Sequence, residues 1–250
     1  MVRTEDDYNG SEREIMTSTR KTAIVIGVIF LVATATYIAG SALITAAKSP
    51  DNLANLNQTQ VRIGVLLEFV DAAAAVAIGI LLLSTLRAFS EELAFAYAAS
   101  RIAEAVLIMV SALGALLLIP LSDRYAQAVA SNASQLQDLA LLVTKSYDLA
   151  FQLAMIALGA GSIGLCYVLY RAKLVPRALA ALGIVGYVCL FVSGWLVIFG
   201  SDLGVLLFAP GAAFEIFFPV WLIVKGFSHR ATSKLDRPLE DLVPALGGSA

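Results

Sequence analysis

The sequence predicts an all-α fold, an integral membrane bundle of six transmembrane helices. Of its 250 residues, 59% are hydrophobic and 14% are charged, and the mean hydropathy is +0.83. A soluble domain usually carries about 25% charged residues, so this composition argues against a water-soluble fold. Six apolar stretches each reach the roughly 20 residues with which an α-helix crosses about 30 Å of hydrocarbon. We expect helices because an open sheet would leave backbone groups unpaired in lipid.

The six predicted spans cover residues 22–46, 61–86, 97–119, 146–170, 178–199 and 205–224. The first is longer than the roughly 7–15 apolar residues of a cleaved signal peptide, and we expect it to remain as a span. The polar ends, residues 1–19 and 231–250, are predicted to be disordered cytoplasmic tails around one transmembrane domain of residues 20–230. The longest connection, residues 120–145, is expected to contain a short interfacial helix over residues 125–142.

Basic residues predict the orientation of the spans, because Lys and Arg are enriched in cytoplasmic connections. With six spans, most of the 17 Lys and Arg residues lie on the side of the termini, whereas the opposite side receives Lys48, Arg124 and Lys145. We therefore expect a multi-pass protein of the inner (plasma) membrane with both termini in the cytoplasm. Its surroundings make membrane lipids an expected partner.

The sequence also argues against several kinds of site and partner. The single histidine, His229, follows the last predicted span, which excludes a histidine-based metal or haem site and a Ser-His-Asp triad inside the membrane. Cys166 and Cys189 lie in apolar runs, where a free thiol usually acts as a small buried hydrophobe. No basic domain points to nucleic acid. We predict no metal site, no cofactor and no nucleic-acid partner.

Polar residues at membrane depth form the candidate ligand-binding cluster. An ionisable group inside a span costs roughly 2.5–3.5 kcal/mol on insertion scales, so it is expected to face the bundle interior and to find a partner. Two pairs are spaced three residues apart, and each pair therefore shares one helix face. The pairs are Glu68 with Asp71 and Arg101 with Glu104; the full cluster is Glu68, Asp71, Arg101, Glu104, Asp148, Gln152 and Glu215.

Glu215 lies midway along the sixth predicted span and four residues before Pro219. Proline has no N–H, and its ring clashes with the carbonyl four residues earlier, which here belongs to Glu215. A carboxyl group and a freed carbonyl therefore occur at one residue. Backbone carbonyls freed at the midplane commonly coordinate cations in transporters.

Aromatic and small residues have simpler interpretations. Clusters of glycine suit close helix contacts, within the chain or in a helix-mediated oligomer. The aromatic residues of the last two spans are expected to form lipid-facing belts and packing contacts rather than a ligand cage. The glycines are Gly159, Gly161, Gly164, Gly183 and Gly186, and the aromatic residues are Tyr187, Trp195, Phe199, Phe217, Phe218 and Trp221.

The chain resembles a bacterial six-span group known as domain of unknown function forty-three eighty-six. The resemblance extends from the first span to Gly226, and three stretches carry it: residues 101–105 (RIAEA), 170–177 (YRAKLVPR) and 210–227, with Glu215 and the string WLIVKGF. It implies a six-helix membrane fold and draws attention to Arg101, Glu104 and Glu215. It implies no reaction.

Charge balance leaves three hypotheses for function. One deep arginine, Arg101, cannot balance Glu68, Asp71, Glu104 and Glu215 if all are ionised, so a proton, a cation or a small polar ligand is a candidate partner. The first hypothesis is a small transporter or a proton- or cation-coupled protein. The second is a membrane-embedded enzyme on a lipid substrate, with Glu68 and Asp71 as general acid and base or as magnesium ligands. The third is a non-catalytic scaffold or accessory subunit, in which the helix faces of small residues would matter more than the acids.

Overall fold

The fold is seen in a computed structural model that describes residues 5–48, 50–128, 130–201 and 206–228. These residues include six α-helices and a short 3-10 helix, Pro50–Asn55, between the first two. The helices are α1 (Glu5–Ala47), α2 (Gln58–Arg87), α3 (Glu91–Ala126), α4 (Ala130–Ala172), α5 (Arg177–Ile198) and α6 (Phe208–Val224). The predicted all-α class is confirmed.

Five helical segments are long and apolar enough to cross a membrane, and they match the first five predicted spans. α6 is also apolar but has 17 residues, because it begins at Phe208 and not at the predicted residue 205. The five long segments are Arg20–Ala47, Gln58–Arg87, Glu91–Ala126, Asn132–Ala172 and Arg177–Ile198.

Two predicted boundaries differ from the structure. The backbone of α1 is helical from Glu5, and it therefore includes residues 5–19 of the predicted N-terminal tail; the predicted C-terminal tail, residues 231–250, lies outside the described residues. The separate interfacial helix over residues 125–142 is wrong. α3 continues through Pro120 to Ala126, and α4 begins at Ala130, since residues 130–145 contain neither glycine nor proline to interrupt it.

The helices form a closed ring. Each helix packs against the next along the chain, and α6 packs against α1. Large side chains fill the interior between α3, α5 and α6, where Tyr97, Tyr187, Phe214 and Phe218 are fully buried. Polar side chains of α2, α3 and α6 lie inside this ring.

Arg20, at the start of the apolar segment of α1, fixes this helix to the end of α6. Its guanidinium donates hydrogen bonds to the carbonyl oxygens of Leu222 (3.1 Å), Ile223 (2.7 Å) and Val224 (3.0 Å). These carbonyls belong to the last turn of α6, and that of Leu222 also accepts a hydrogen bond of 3.1 Å from the N–H of Gly226, just after the helix. A positive charge is also favourable at the negative end of a helix dipole. One side chain therefore satisfies the end of α6 and closes the ring.

Glycine allows α5 and α6 to approach closely. A Cβ atom added at Gly186 of α5 would lie 2.8 Å from the Cα atom of Gly211 and 2.9 Å from the carbonyl oxygen of Pro210. These neighbours are backbone atoms, which cannot rotate away as a side chain could. Small residues at helix contacts are typical of membrane bundles, where close van der Waals packing replaces hydrophobic association.

The Gly186→Leu variant is expected to lower stability by about 1–3 kcal/mol, as overpacking of a closely packed site does. The measurement is thermal unfolding of the purified protein in detergent, followed by tryptophan fluorescence. The matched control is Val185→Leu, one residue away and exposed on the outer face of α5. Equal melting temperatures for the two variants would contradict this account of the α5–α6 contact.

Candidate functional site

A cavity of about 170 Å³ lies inside the ring and is lined by residues of all six helices. Its charged residues come from three of them: Asp71 from α2, Arg101 and Glu104 from α3, and Glu215 from α6. Asp71 lies near the middle of α2, and Glu215 lies near the middle of α6. We call these four residues the acidic cavity cluster. All four were predicted from the sequence.

Arg101 is already engaged within this cluster. Its Nη1 atom lies 2.8 Å from Oε2 of Glu104, and both side chains are almost fully buried, with 3% and 5% exposure of the residues. Its Nε atom donates a hydrogen bond of 3.4 Å to the carbonyl oxygen of Ala75. A Cβ atom added at Gly79 would lie 3.0 Å from Cβ of Arg101, so this glycine allows the stem of Arg101 to lie against α2.

The other two carboxyl groups of the cluster have little or no partner. Asp71 is 7% exposed, and among the described residues nothing forms a hydrogen bond or an ion pair with it. Glu215 accepts one long hydrogen bond of 3.4 Å from the hydroxyl of Tyr187. Arg101 is the basic residue of the described cavity lining, and Glu104 neutralises it. The cavity therefore contains two carboxyl groups that no basic side chain balances.

Glu68 belongs to a second polar group. This group lies toward the end of the bundle that is farther from Arg20. The hydroxyl of Tyr147 donates a short hydrogen bond to Oε1 of Glu68, whereas Oε2 of Glu68 has no hydrogen-bond partner among the described residues. The Nζ atom of Lys48 lies 4.0 Å from the ring centroid of Tyr147 and 2.7 Å from Oδ1 of Asp148. A connected set of polar side chains thus runs from Asp148 through Lys48 and Tyr147 to Glu68.

The predicted cluster is therefore divided by the structure. Glu68 and Asp148 lie in this second group, and Gln152 has a buried Oε1 atom with no hydrogen-bond partner among the described residues; none of the three lines the cavity. Sequence reasoning missed Lys48 and Tyr147. No spacing rule could have found them, because Lys48 follows α1 and Tyr147 lies on α4, 99 positions later in the chain.

Three stacked aromatic rings line one part of the cavity. The ring of Phe151 lies 5.5 Å from that of Tyr37 at an interplanar angle of 7°, and 6.5 Å from that of Phe208 at 13°. These rings come from α4, α1 and α6, and the sequence analysis selected none of them. Among the aromatic residues that it did select, Tyr187 and Phe218 are buried packing residues, and Trp195, Phe199 and Phe217 are exposed.

The acidic residues share a cavity without converging on one point. Within the described ranges, no group of three or more His, Cys, Asp or Glu side chains is placed to hold a metal ion. The carboxyl groups are instead distributed around a space large enough for a small molecule. A stand-alone metal centre is therefore a poor fit to this site.

The Arg101→Met variant is expected to lose about 3–5 kcal/mol of stability, because it leaves Glu104 buried without its partner. Adding Glu104→Gln to Arg101→Met should recover much of that loss, since the remaining side chain is neutral. The measurement is unfolding by denaturant in detergent. The control is Lys48→Met, which breaks a pair whose Asp148 side chain is 48% exposed and should cost at most about 1 kcal/mol. If the double variant is no more stable than Arg101→Met, the pair is not what holds this region together.

Comparison with known proteins identifies the family. The model of the family described as domain of unknown function (DUF4386) matches residues 25–226. No curated protein and no solved structure matches the chain. The matched region extends from α1 to the end of α6 and contains the whole acidic cavity cluster. The chain therefore belongs to the DUF4386 family, as its resemblance to that family predicted.

Proposed function

We propose that this is a small bacterial plasma-membrane transporter, or a proton- or cation-coupled membrane protein, that binds a cation in the acidic cavity. The observation that carries the proposal is the excess of carboxyl groups there. Asp71, which is buried, and Glu215, which is partly buried, line one cavity with Arg101, and Arg101 is paired with Glu104. Buried charges without compensation are strongly unfavourable, so protons or a bound cation must neutralise these two groups.

The exchange of one neutralising species for another gives the cavity a function. When the cavity is empty, protons on Asp71 and Glu215 satisfy the charge balance. When a cation enters, it can replace a proton, because either species leaves the same net charge in the bundle. Ionisable residues inside membrane proteins commonly mark such ion pathways and proton relays.

The geometry favours this proposal over catalysis on a lipid. The enzyme hypothesis relied on Glu68 and Asp71 acting as a pair. Glu68 accepts a hydrogen bond from Tyr147 and does not line the cavity, so the two carboxyl groups do not face one substrate-sized space. A scaffold role would not require the unbalanced carboxyl groups.

The proposed topology has six spans with both termini in the cytoplasm. Although α6 has 17 residues, this is about the shortest apolar helix that crosses a bilayer. The hydrogen bonds from Arg20 to the last carbonyls of α6 support a sixth crossing, because they put the end of α6 level with the start of the apolar segment of α1. Arg87, Arg171 and Arg177 lie at connections that six alternating spans assign to the same side, as the positive-inside rule favours.

Labelling of single introduced thiols in whole cells tests the topology. In a background with Cys166→Ala and Cys189→Ala, Ser134→Cys, at an exposed position in the first turns of α4 on the outer side, should react with an impermeant maleimide in intact cells. Ser18→Cys and Ser228→Cys should react at least tenfold more after permeabilisation. Labelling of Ser228→Cys but not Ser18→Cys in intact cells would mean that α6 does not cross.

Proton movement in liposomes tests the activity. Protein reconstituted with a pH-sensitive dye in the lumen is expected to move protons when a gradient of a bound cation is applied, from a panel of inorganic and small ammonium ions. Glu215→Gln should reduce the rate at least tenfold, because it removes one exchangeable charge. Asp148→Asn, which alters the outer group only, should retain most of the rate.

Two results would count against the proposed function. The first is the absence of proton movement above that of protein-free liposomes for every cation of the panel. The second is a folded Glu215→Gln protein with an unchanged rate. If the single variants Glu215→Gln and Asp71→Asn both misfold, the two acids have a structural role instead.

A further inference from the structure

The cavity has features that select among cations, and they favour an organic one. We propose that its ligand is an organic ammonium ion carrying an apolar body of about one aromatic ring. This inference rests on the proposed function and specifies the chemical class of the cation. Four independent features of the described residues support it: the unpartnered carboxyl group, the aromatic wall, the size of the cavity and its position at the bundle surface.

The carboxyl group of Asp71 provides the attachment point for the charge. It is buried, it lines the cavity, and no described residue forms a hydrogen bond or an ion pair with it. An ammonium group is a compact positive charge that would supply the missing partner. Glu215, with its single long hydrogen bond from Tyr187, provides a second negative group in the same space.

The rest of the lining suits a carbon skeleton. Tyr37, Phe151 and Phe208 present stacked rings, and Phe30 also lines the cavity, with its ring centroid 5.7 Å from the central guanidinium carbon of Arg101. Aromatic faces attract cations, and recognition of quaternary ammonium groups is a common use of this attraction. A hydrated inorganic ion would gain nothing from such walls.

The volume and the distribution of charge disfavour a bare metal ion. A cavity of about 170 Å³ is slightly larger than an engineered cavity of about 150 Å³ that binds benzene. The acidic residues do not form a group that could ligate one metal. One ring with a short ammonium arm fits this space, whereas a single small ion would leave most of it empty.

The cavity also reaches the apolar outer face of the bundle. Ile38 of α1 and Ile216 of α6 line it and are 58% and 51% exposed, and Ala212 beside them is exposed as well. These residues lie within the apolar parts of their helices. A ligand with an apolar body could therefore enter between α1 and α6 from the surrounding lipid, where such molecules concentrate.

Equilibrium dialysis of the full chain in lipid nanodiscs tests the inference with three matched probes. Benzyltrimethylammonium has the ring and the charge, tetramethylammonium has only the charge, and neopentylbenzene has the same shape without the charge. We expect saturable binding of benzyltrimethylammonium, at least tenfold tighter than binding of either of the other two. Sodium and magnesium ions should compete at least tenfold more weakly.

Two pairs of variants locate the bound probe. Asp71→Asn should weaken binding of benzyltrimethylammonium at least tenfold, and Asp148→Asn should leave it unchanged. Ala212→Trp should block the opening and reduce binding at least tenfold, whereas Ala209→Trp, exposed on the same helix but outside the cavity lining, should not. Because Ala212 is exposed, this pair remains informative even if Asp71→Asn fails to fold.

The outcomes separate this inference from the proposed function. Binding of sodium, magnesium or tetramethylammonium as tight as that of benzyltrimethylammonium would overturn the inference and leave a cation-binding protein. Equal binding of neopentylbenzene, or binding unaffected by Ala212→Trp, would also overturn it. If no cation binds and none moves protons in liposomes, both proposals fail.

Discussion

Burying charge at membrane depth is the constraint around which the bundle is organised, and the pair formed by Arg101 and Glu104 is its centre. Both residues lie on one face of α3, and at 2.8 Å they form a contact that is almost completely enclosed. Charged groups at membrane depth are costly, and they usually face the interior of a bundle and find partners there. The ring of helices provides such an interior, and α6 supplies its last side.

Closure of the ring combines aromatic packing, such as that of Phe218 of α6 at 5.7 Å from the ring of Phe30 of α1, with two contacts to backbone atoms. α6 approaches α5 through Gly186 and Gly211, and Arg20 holds its end to α1 through three carbonyl oxygens. Both contacts rely on backbone atoms, which side-chain rotation cannot displace. They bring Glu215, on the shortest of the helices, to the same cavity as Asp71 and Arg101. The packing of α6 against its neighbours therefore determines which charged groups meet in the interior.

The structure separates the polar residues into two groups, which differ in how many of their side chains have hydrogen-bond or ion-pair partners. The outer group connects Asp148, Lys48, Tyr147 and Glu68 by an ion pair, a cation–π contact and a hydrogen bond. The cavity cluster retains Asp71 and Glu215 with little or no compensation. Glu68 and Asp71 lie one helical turn apart on α2, so the two groups adjoin. The outer group is suited to holding helices together, and the inner one is suited to receiving a ligand.

The sequence by itself determined the all-α class, five long apolar helices and a set of seven polar residues, four of which form the acidic cavity cluster. It could do so because length and apolar composition alone predict a spanning helix, and because charged residues stand out against an apolar background. The i, i+3 spacing correctly predicted that Arg101 and Glu104 share a face. It could not decide which carboxyl groups meet. Glu68 and Asp71 have the same spacing, yet Glu68 accepts a hydrogen bond from Tyr147 of α4, whereas Asp71 lines the cavity. Only the tertiary structure decided between these two carboxyl groups, and only it brought together the stacked rings of Tyr37, Phe151 and Phe208. Contacts between helices depend on how each helix is rotated about its axis. No residue pattern within a single helix determines that rotation.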